Sequence, residues 1–522
     1  MNEIKVRENI LILNMRKERR WFLQRSVVYG ILFTVCLYKN MSGITFPVLA
    51  AVLILFSGLF LRKSEIRIKK ESVCYAAGIL LLGISTFLTT NGFFHFFNSV
   101  GMMLLFIMGM IHQLYDDHTW GFLDYTKNFF LLIGTWIFSF GELFRKSSET
   151  YPHPESGKTD QTVDNSVKSP AEGKKLLKSR KQLKQIALGC AAAFCLLLIV
   201  LPLLLSSDAI FRELFQRMFA FVNLIRLFRR IDAANIVGIF LTFLLGTISL
   251  YTFFAGMFQK NLEPVKENRR GSINSVTGIT FAGILAAVYV LYSGIQILFL
   301  FLRLDSGLPE GTTYSQYAHE GFWQLLFVSI INFGAVVICL QIFEENKILK
   351  TILCLVSLCT CIMILSACWR MILYVNAYHL TFLRVLVLWF LGVLMLIFFG
   401  VIFGIFRKSF RLFRYITLIV SVCYIGFSFA KTDRMIAEYN IRNTEEMNEN
   451  DLLYLVYGLS EDAAPVIAEI DVSDLEHVWM KAYLDEYFEM IRQGSQNQSL
   501  RSFNYARSQA KEAADHWIEN EE

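Results

Sequence analysis

The feature that most constrains this chain is a series of runs, each about 20 residues long, that carry almost no charge. That is the length a helix needs to cross a hydrocarbon layer about 30 Å thick. Backbone in lipid must satisfy its own hydrogen bonds, and these runs lack the short alternating pattern of barrel strands, so they read as helices. Candidate spans fall at 22–38, 44–61, 73–90, 93–114, 186–205, 233–258, 275–302, 321–343, 349–374, 381–406 and 412–430. The composition agrees: of 522 residues, 55% are hydrophobic and only 18% charged, where a soluble domain carries about 25%. The expected fold class is all-α, a polytopic transmembrane helix bundle of about 11 spans, within a range of 10 to 13, with a small C-terminal helical domain.

Charge divides the chain into four parts. Residues 1–144 form a first membrane block of four spans. A linker over 145–185 holds ten Lys or Arg together with Pro152, Pro154 and Pro170, and reads as a flexible cytoplasmic tether. Residues 186–430 form a second block of seven spans. Within it, 208–230 carries an apolar stripe through Phe211, Leu214, Phe215 and Met218, the pattern of a helix lying in the headgroup layer, with Asp208 as its N-cap. From Lys431 onward, 20 acidic residues face 8 basic ones, a net of −12, which leaves +18 on the rest. Ser473 with Glu476 reads as a capping box opening a helix to about Ile491, and a second helix is expected from Leu500 to Trp517.

Basic residues flank the N-terminus and the 62–70 loop, while the loop at Asn91 and Gly92 has none. The positive-inside rule puts the N-terminus in the cytoplasm and, after eleven crossings, the C-terminus outside the cell membrane. A crossing by the apolar segment 120–144 would put the basic linker outside, so that segment is expected to be re-entrant or interfacial, the alternative being that one earlier span does not cross. The basic start of the chain lacks a small-residue cleavage site and reads as an uncleaved first helix.

Chemistry is sparse. All ten cysteines fall in apolar segments without metal-ligand spacing, and read as small packing residues. His112, Asp116 and His118 lie close together, with His112 and Asp116 one helical turn apart, yet no second cluster completes a metal set. No phosphate loop, metalloprotease pair, nucleophile elbow or kinase signature occurs. No catalytic residue, metal or cofactor is therefore assigned. Asn332 and Gln296, inside spans, read as interhelical hydrogen-bond partners.

The most suspicious stretch is 366–385, SACWRMILYVNAYHLTFLRV. It sets Arg370 and Arg384 at membrane depth on either side of a polar, aromatic hairpin, which is costly without partners. The same end of the bundle should receive Asp208, His319 and Glu320, so a charge network is expected. Candidate ligand-binding residues are Arg370, Arg384, Glu320, Asp208, His319, Tyr374 and His379. The network is read first as pinning helix ends, and second as a pocket for an anionic group that arginine forks would suit.

This stretch resembles a recurring signature, R-x-x-L-Y-x-x-x-Y-G-L-T-x-x-R, of bacterial multi-pass membrane proteins grouped as a domain of unknown function. The chain matches it from Arg370 to Arg384, with His379 where glycine is expected. SSDAIF (206–211), YAHEGFWQLL (317–326), NENDLLYLVYGLSEDAAPVI (448–467) and SFNYARSQA (502–510) extend the resemblance over about 186–510. It implies the multi-pass architecture with a helical tail, and transfers no catalytic residue.

The function expected is that of a non-enzymatic envelope scaffold or signalling component of a bacterial plasma membrane. Its partners would be membrane lipid, including anionic lipid, and proteins bound through the acidic domain and basic linker, with no nucleic acid. The alternative is a transporter or flippase of an amphipathic or anionic solute or lipid. Transport calls for a wet cavity near Asn332, and a scaffold calls for solid packing there.

Overall fold

The computed structural model describes residues 11–40, 42–115, 117, 120–143, 233–259, 273–298, 314–407, 410–444, 447–471, 475–495 and 499–519, with 233–234, 314–323 and 377 as backbone alone. The linker 145–185, the span at 186–205 and the amphipathic segment 208–230 with Asp208 lie outside the described residues. Within them the fold is all-α, with two isolated bridges, Ile273–Phe343 and Met447–Leu475.

The helices of the bundle are α1 (Arg19–Leu37), α2 (Thr45–Lys63), α3 (Ser72–Leu88), α4 (Gly92–Leu114), α5 (Phe122–Phe138), α6 (Ala233–Gln259), α7 (Ser275–Gln296), α8 (Tyr314–Ile342), α9 (Lys347–Tyr378), α10 (Phe382–Phe406) and α11 (Leu412–Phe429). Among the described residues, eight of these are long and apolar enough to cross a membrane: α2, α4 and α6 to α11. Helix α1 carries Arg19, Arg20 and Arg25, and α3 has 17 residues, so both fall short of that test while occupying expected span positions.

The bundle has two ends. At the first lie Arg16, Lys63, Lys69 and Arg414; at the second lie the 38–45 and 89–91 loops, the 379–381 turn and the C-terminal domain. Helix α6 runs beside α1 from end to end. Tyr38 donates to Asn235 Oδ1 at 2.9 Å near one end, and Tyr115 donates to the Met257 carbonyl at 2.7 Å near the other. The close approach depends on Gly30, where an added Cβ would meet the Phe243 carbonyl oxygen at 2.9 Å. Lipid tails are as apolar as leucine, so small residues that let backbones approach hold such helices together better than greasy surface does. Phe22, Phe60, Phe254 and Phe258 fill the core beside this contact.

Helices α7 to α10 form a second cluster around Leu325, Met363, Ala367, Leu391 and Phe398. Polar side chains stitch it: Tyr289 donates to Asn332 Oδ1 at 2.7 Å, Asn332 donates to Thr360 at 2.9 Å, and Ser366 donates to Gln296 at 2.5 Å. Helix α11 joins the clusters, with Tyr424 donating to Asn98 of α4 and the Trp389 indole of α10 donating to the Cys423 carbonyl.

Helix α5 is tied at both its ends to the first end of the bundle. Tyr125, in its first turn, meets Asp117 and Arg414, and the 3-10 turn Ser139–Leu143 that follows it meets Arg16 through Glu142 at 2.9 Å.

The C-terminal domain contains α12 (Thr432–Arg442), α13 (Glu449–Leu453), α14 (Lys481–Ser495) and α15 (Tyr505–Glu519) around Leu452, Ile467, Leu484, Phe488 and Ala510. Two boundaries differ from expectation. Helix α14 starts at Lys481, because the Glu476 amide donates to the Met447 carbonyl and holds 475–476 as bridge rather than first turn. Leu500–Ser502 is a 3-10 turn capped by Ser499, and α15 begins only at Tyr505.

Candidate functional site

The turn between α9 and α10 is organised by one arginine. Arg384, in the first turn of α10, donates to the carbonyls of Tyr378 and His379, which α9 leaves open at its C-terminus. Its guanidinium lies 4.1 Å from the Tyr374 ring centre, and Tyr378 packs edge-on against Tyr374 at 5.3 Å. His379 takes φ 59° and ψ 179°, a region populated almost only by glycine. The residue in the signature's glycine position thus adopts a glycine conformation without being glycine.

The turn is then gripped by the C-terminal domain. The Asn440 side chain of α12 pairs with both backbone groups of Leu380, accepting its N–H and donating to its C=O, each at 2.9 Å. The Phe382 amide donates to the Tyr454 hydroxyl at 2.8 Å. Burial pushes the Tyr454 phenol above its ordinary range. Tyr454 opens a π-helical turn, Tyr454–Gly458, that continues α13. Such turns reposition side chains and recur at functional sites.

Between turn and domain lies a cavity of about 220 Å³. Tyr378, His379, Leu380 and Thr381 form one wall, and Asn440, Asp451 and Tyr454, with Met447 and Leu455, form the other. Among the described residues, Asp451 is the only carboxylate that lines it, and no Lys or Arg does.

Of the residues expected at this site, the structure brings together Tyr374, His379 and Arg384. Arg370 stands about two turns back along α9, half-buried. Helix α8 carries His319 and Glu320 in its first two turns, where the backbone alone is described, and Asp208 lies outside the described residues. Arg384 serves carbonyls and an aromatic ring, not an exposed anion fork. Asn440, Asp451 and Tyr454 escaped the sequence reading, although the last two stand in the 448–467 stretch that carries the family resemblance. What betrays them is their distance from the turn in three dimensions, not in sequence.

Two more clusters shape the protein. At the second end, Asp462 accepts from Thr89 Oγ1, and from the Thr90 amide and hydroxyl at 2.7 Å each. Asp433 accepts from Asn91 at 2.8 Å and Ser460 at 2.5 Å; burial, together with the neighbouring Asp462 charge, pushes its carboxyl up. Asn504 donates to the carbonyls of Ser42 and Thr89, and the Ile44 amide donates to the Phe503 carbonyl at 2.8 Å.

At the first end, the buried Asp117 accepts from Arg414 at 2.5 Å and from Tyr125, with His112 Nδ1 at 3.1 Å. Burial opposes its charge, but the bonds from Tyr125 and His112 and the Arg414 charge outweigh this and hold the carboxyl below its usual range. Asp117, beyond the helix end at Tyr115, folds back onto His112; Asp116 and His118, the neighbours expected beside it, lie outside the described residues. Among the described residues no group of three potential metal ligands forms.

No curated protein and no solved structure matches the chain. One family profile does, described as Domain of unknown function (DUF4153), over residues 76–470. The match starts earlier than the 186–510 suggested by signature stretches and stops before α14. The bundle explains the early start, since α6 and α11 pack on helices of the first block and the two blocks fold as one body. With three quarters of its length matched, this membrane-embedded chain belongs to the DUF4153 family of unknown function.

Proposed function

We propose that the protein is a non-enzymatic scaffold or signalling component of a bacterial plasma membrane, holding its acidic domain in a set orientation outside the cell. The observation that carries this is the grip of the C-terminal domain on three separate loops of the bundle, through Asn504 and Phe503 on 42–44, Asp462 on 89–90 and Asn440 on 380. A passive tail would need no such clamp. The orientation is supported by the cations Arg16, Lys63, Lys69 and Arg414 at the end opposite the domain, which the positive-inside rule assigns to the cytoplasm. The return of α5 to that same end supports a re-entrant or interfacial disposition for 120–144.

Transport of an amphipathic anion would require an open path at midplane. Asn332 is instead 1% exposed and bonded to Tyr289 and Thr360, which supports the scaffold. Partners would meet the acidic domain, the basic linker and the surrounding lipid. A photo-crosslinking residue at the exposed Trp479 should capture discrete protein partners in native membranes, with a reporter fused after Glu522 active only outside. An empty crosslinking profile, combined with solute flux abolished by Arg370→Ala and Arg384→Ala at normal protein levels, would replace this reading with transport.

A further inference from the structure

We propose that the cavity between the α9–α10 turn and the C-terminal domain binds a small ammonium group, either the amine of a lipid headgroup or that of a soluble amine. Its volume of about 220 Å³ lies below the range of drug-sized sites but is enough for an ammonium on a short carbon stem.

The lining selects charge. Asp451 is half-buried, no ion pair joins it to any described Lys or Arg, and neither residue type is among the described residues of the lining. Tyr378, 45% exposed, and Tyr454 add aromatic rings, whose faces attract cations, and Asn440 and Thr444 add polar atoms for the remaining N–H donors. Arg384 acts electrostatically on Tyr454 but is not among the described lining residues; its Nη1 donates to the Tyr378 and His379 carbonyls and its guanidinium lies over the Tyr374 ring. An anion would therefore meet a carboxylate, with no Lys or Arg among the described lining residues to receive it.

Two further observations converge on this cavity. The glycine-like backbone of His379 forms one wall, and the π-helical turn that begins at Tyr454 forms the other. Both are locally unfavourable conformations of the kind that surrounding structure maintains at binding sites. The cavity also sits where α9 and α10 leave their apolar runs, the depth of a lipid headgroup.

The test uses the full chain in nanodiscs of phosphatidylglycerol alone, titrated with ethanolamine by calorimetry, with inorganic phosphate as the opposing probe. Saturable ethanolamine binding is expected, weakened at least tenfold in Asp451→Asn, with no binding of phosphate at this site. Repeating the titration in nanodiscs containing phosphatidylethanolamine separates the sources. Loss of ethanolamine binding there, with that lipid retained on the protein in native mass spectra, identifies the headgroup; unchanged binding identifies a soluble amine. The wild-type preference between the two probes decides the matter even if Asp451→Asn fails to fold. No ethanolamine binding, stronger phosphate binding, or undiminished affinity in a folded Asp451→Asn would each overturn the proposal. Partner capture at Trp479 is independent of all these outcomes.

Discussion

Asp462→Ala tests whether the C-terminal domain is clamped to the bundle or merely rests on it. Asp462 is 8% exposed and receives three hydrogen bonds, from Thr89 Oγ1, Thr90 N and Thr90 Oγ1. Bonds to a charged acceptor contribute about 1.5–3 kcal/mol each, and truncation leaves the donors unpaired at a buried site. These terms are not additive, and removing Asp462 also relieves its repulsion of Asp433. A net loss of about 3–4 kcal/mol of docking free energy is expected, two to three decades in the docked-to-released ratio at about 1.4 kcal/mol per decade. Hydrogen exchange in nanodiscs reads this directly, because the Ile44 amide is bonded to Phe503 across the same interface, on a loop that Asp462 does not touch. Exchange at Ile44 should rise together with that at Thr90. If only Thr90 accelerates while Ile44 stays protected, Asp462 is a local loop cap and the clamp argument fails.

Removing either partner of the Asp117–Arg414 pair should cost about 3–5 kcal/mol, because the other charge is left in a protein interior. In a double-mutant cycle by thermal or denaturant melting, Asp117→Ala with Arg414→Ala should cost less than the two singles summed, and strict additivity would mean no coupling. Asp117 also sets an acid limit. Its folded carboxyl lies below the ordinary 3.8, so its contribution is complete above that value and is lost as pH falls through the lower folded one. Melting temperature should drop steeply below pH 3.8 in wild type and less in Asp117→Asn. His379→Gly removes a strained backbone that costs about 1–3 kcal/mol, part of which returns as unfolded-chain entropy of glycine. A rise in melting temperature is expected, and a fall would mean that the imidazole makes contacts worth more than the strain.

Much of the architecture was legible in sequence because lipid imposes a one-dimensional rule: a run of apolar residues must be a helix, whatever surrounds it. The spans at 44–61, 93–114 and 381–406 follow from that alone, as does the separate acidic domain, whose charge excludes it from lipid. The hairpin arginines were legible as a cost, and Arg384 does find partners, but these are carbonyls and a ring rather than acids. Helix starts in the acidic domain were less legible, since the bridge at Leu475 overrides the local capping pattern.

By itself the sequence determined that this chain is a helical membrane protein of the DUF4153 family, with an acidic helical tail and its cations gathered at particular loops. Tertiary structure alone decided that α6 slots against α1 through Gly30, that α5 returns to the end it starts from, and that the tail seizes the bundle through Asp462, Asn504 and Asn440. The reason is physical. Transfer into lipid depends on composition summed over one segment, whereas a clamp or a cavity depends on which atoms meet across hundreds of residues, and no local pattern records that.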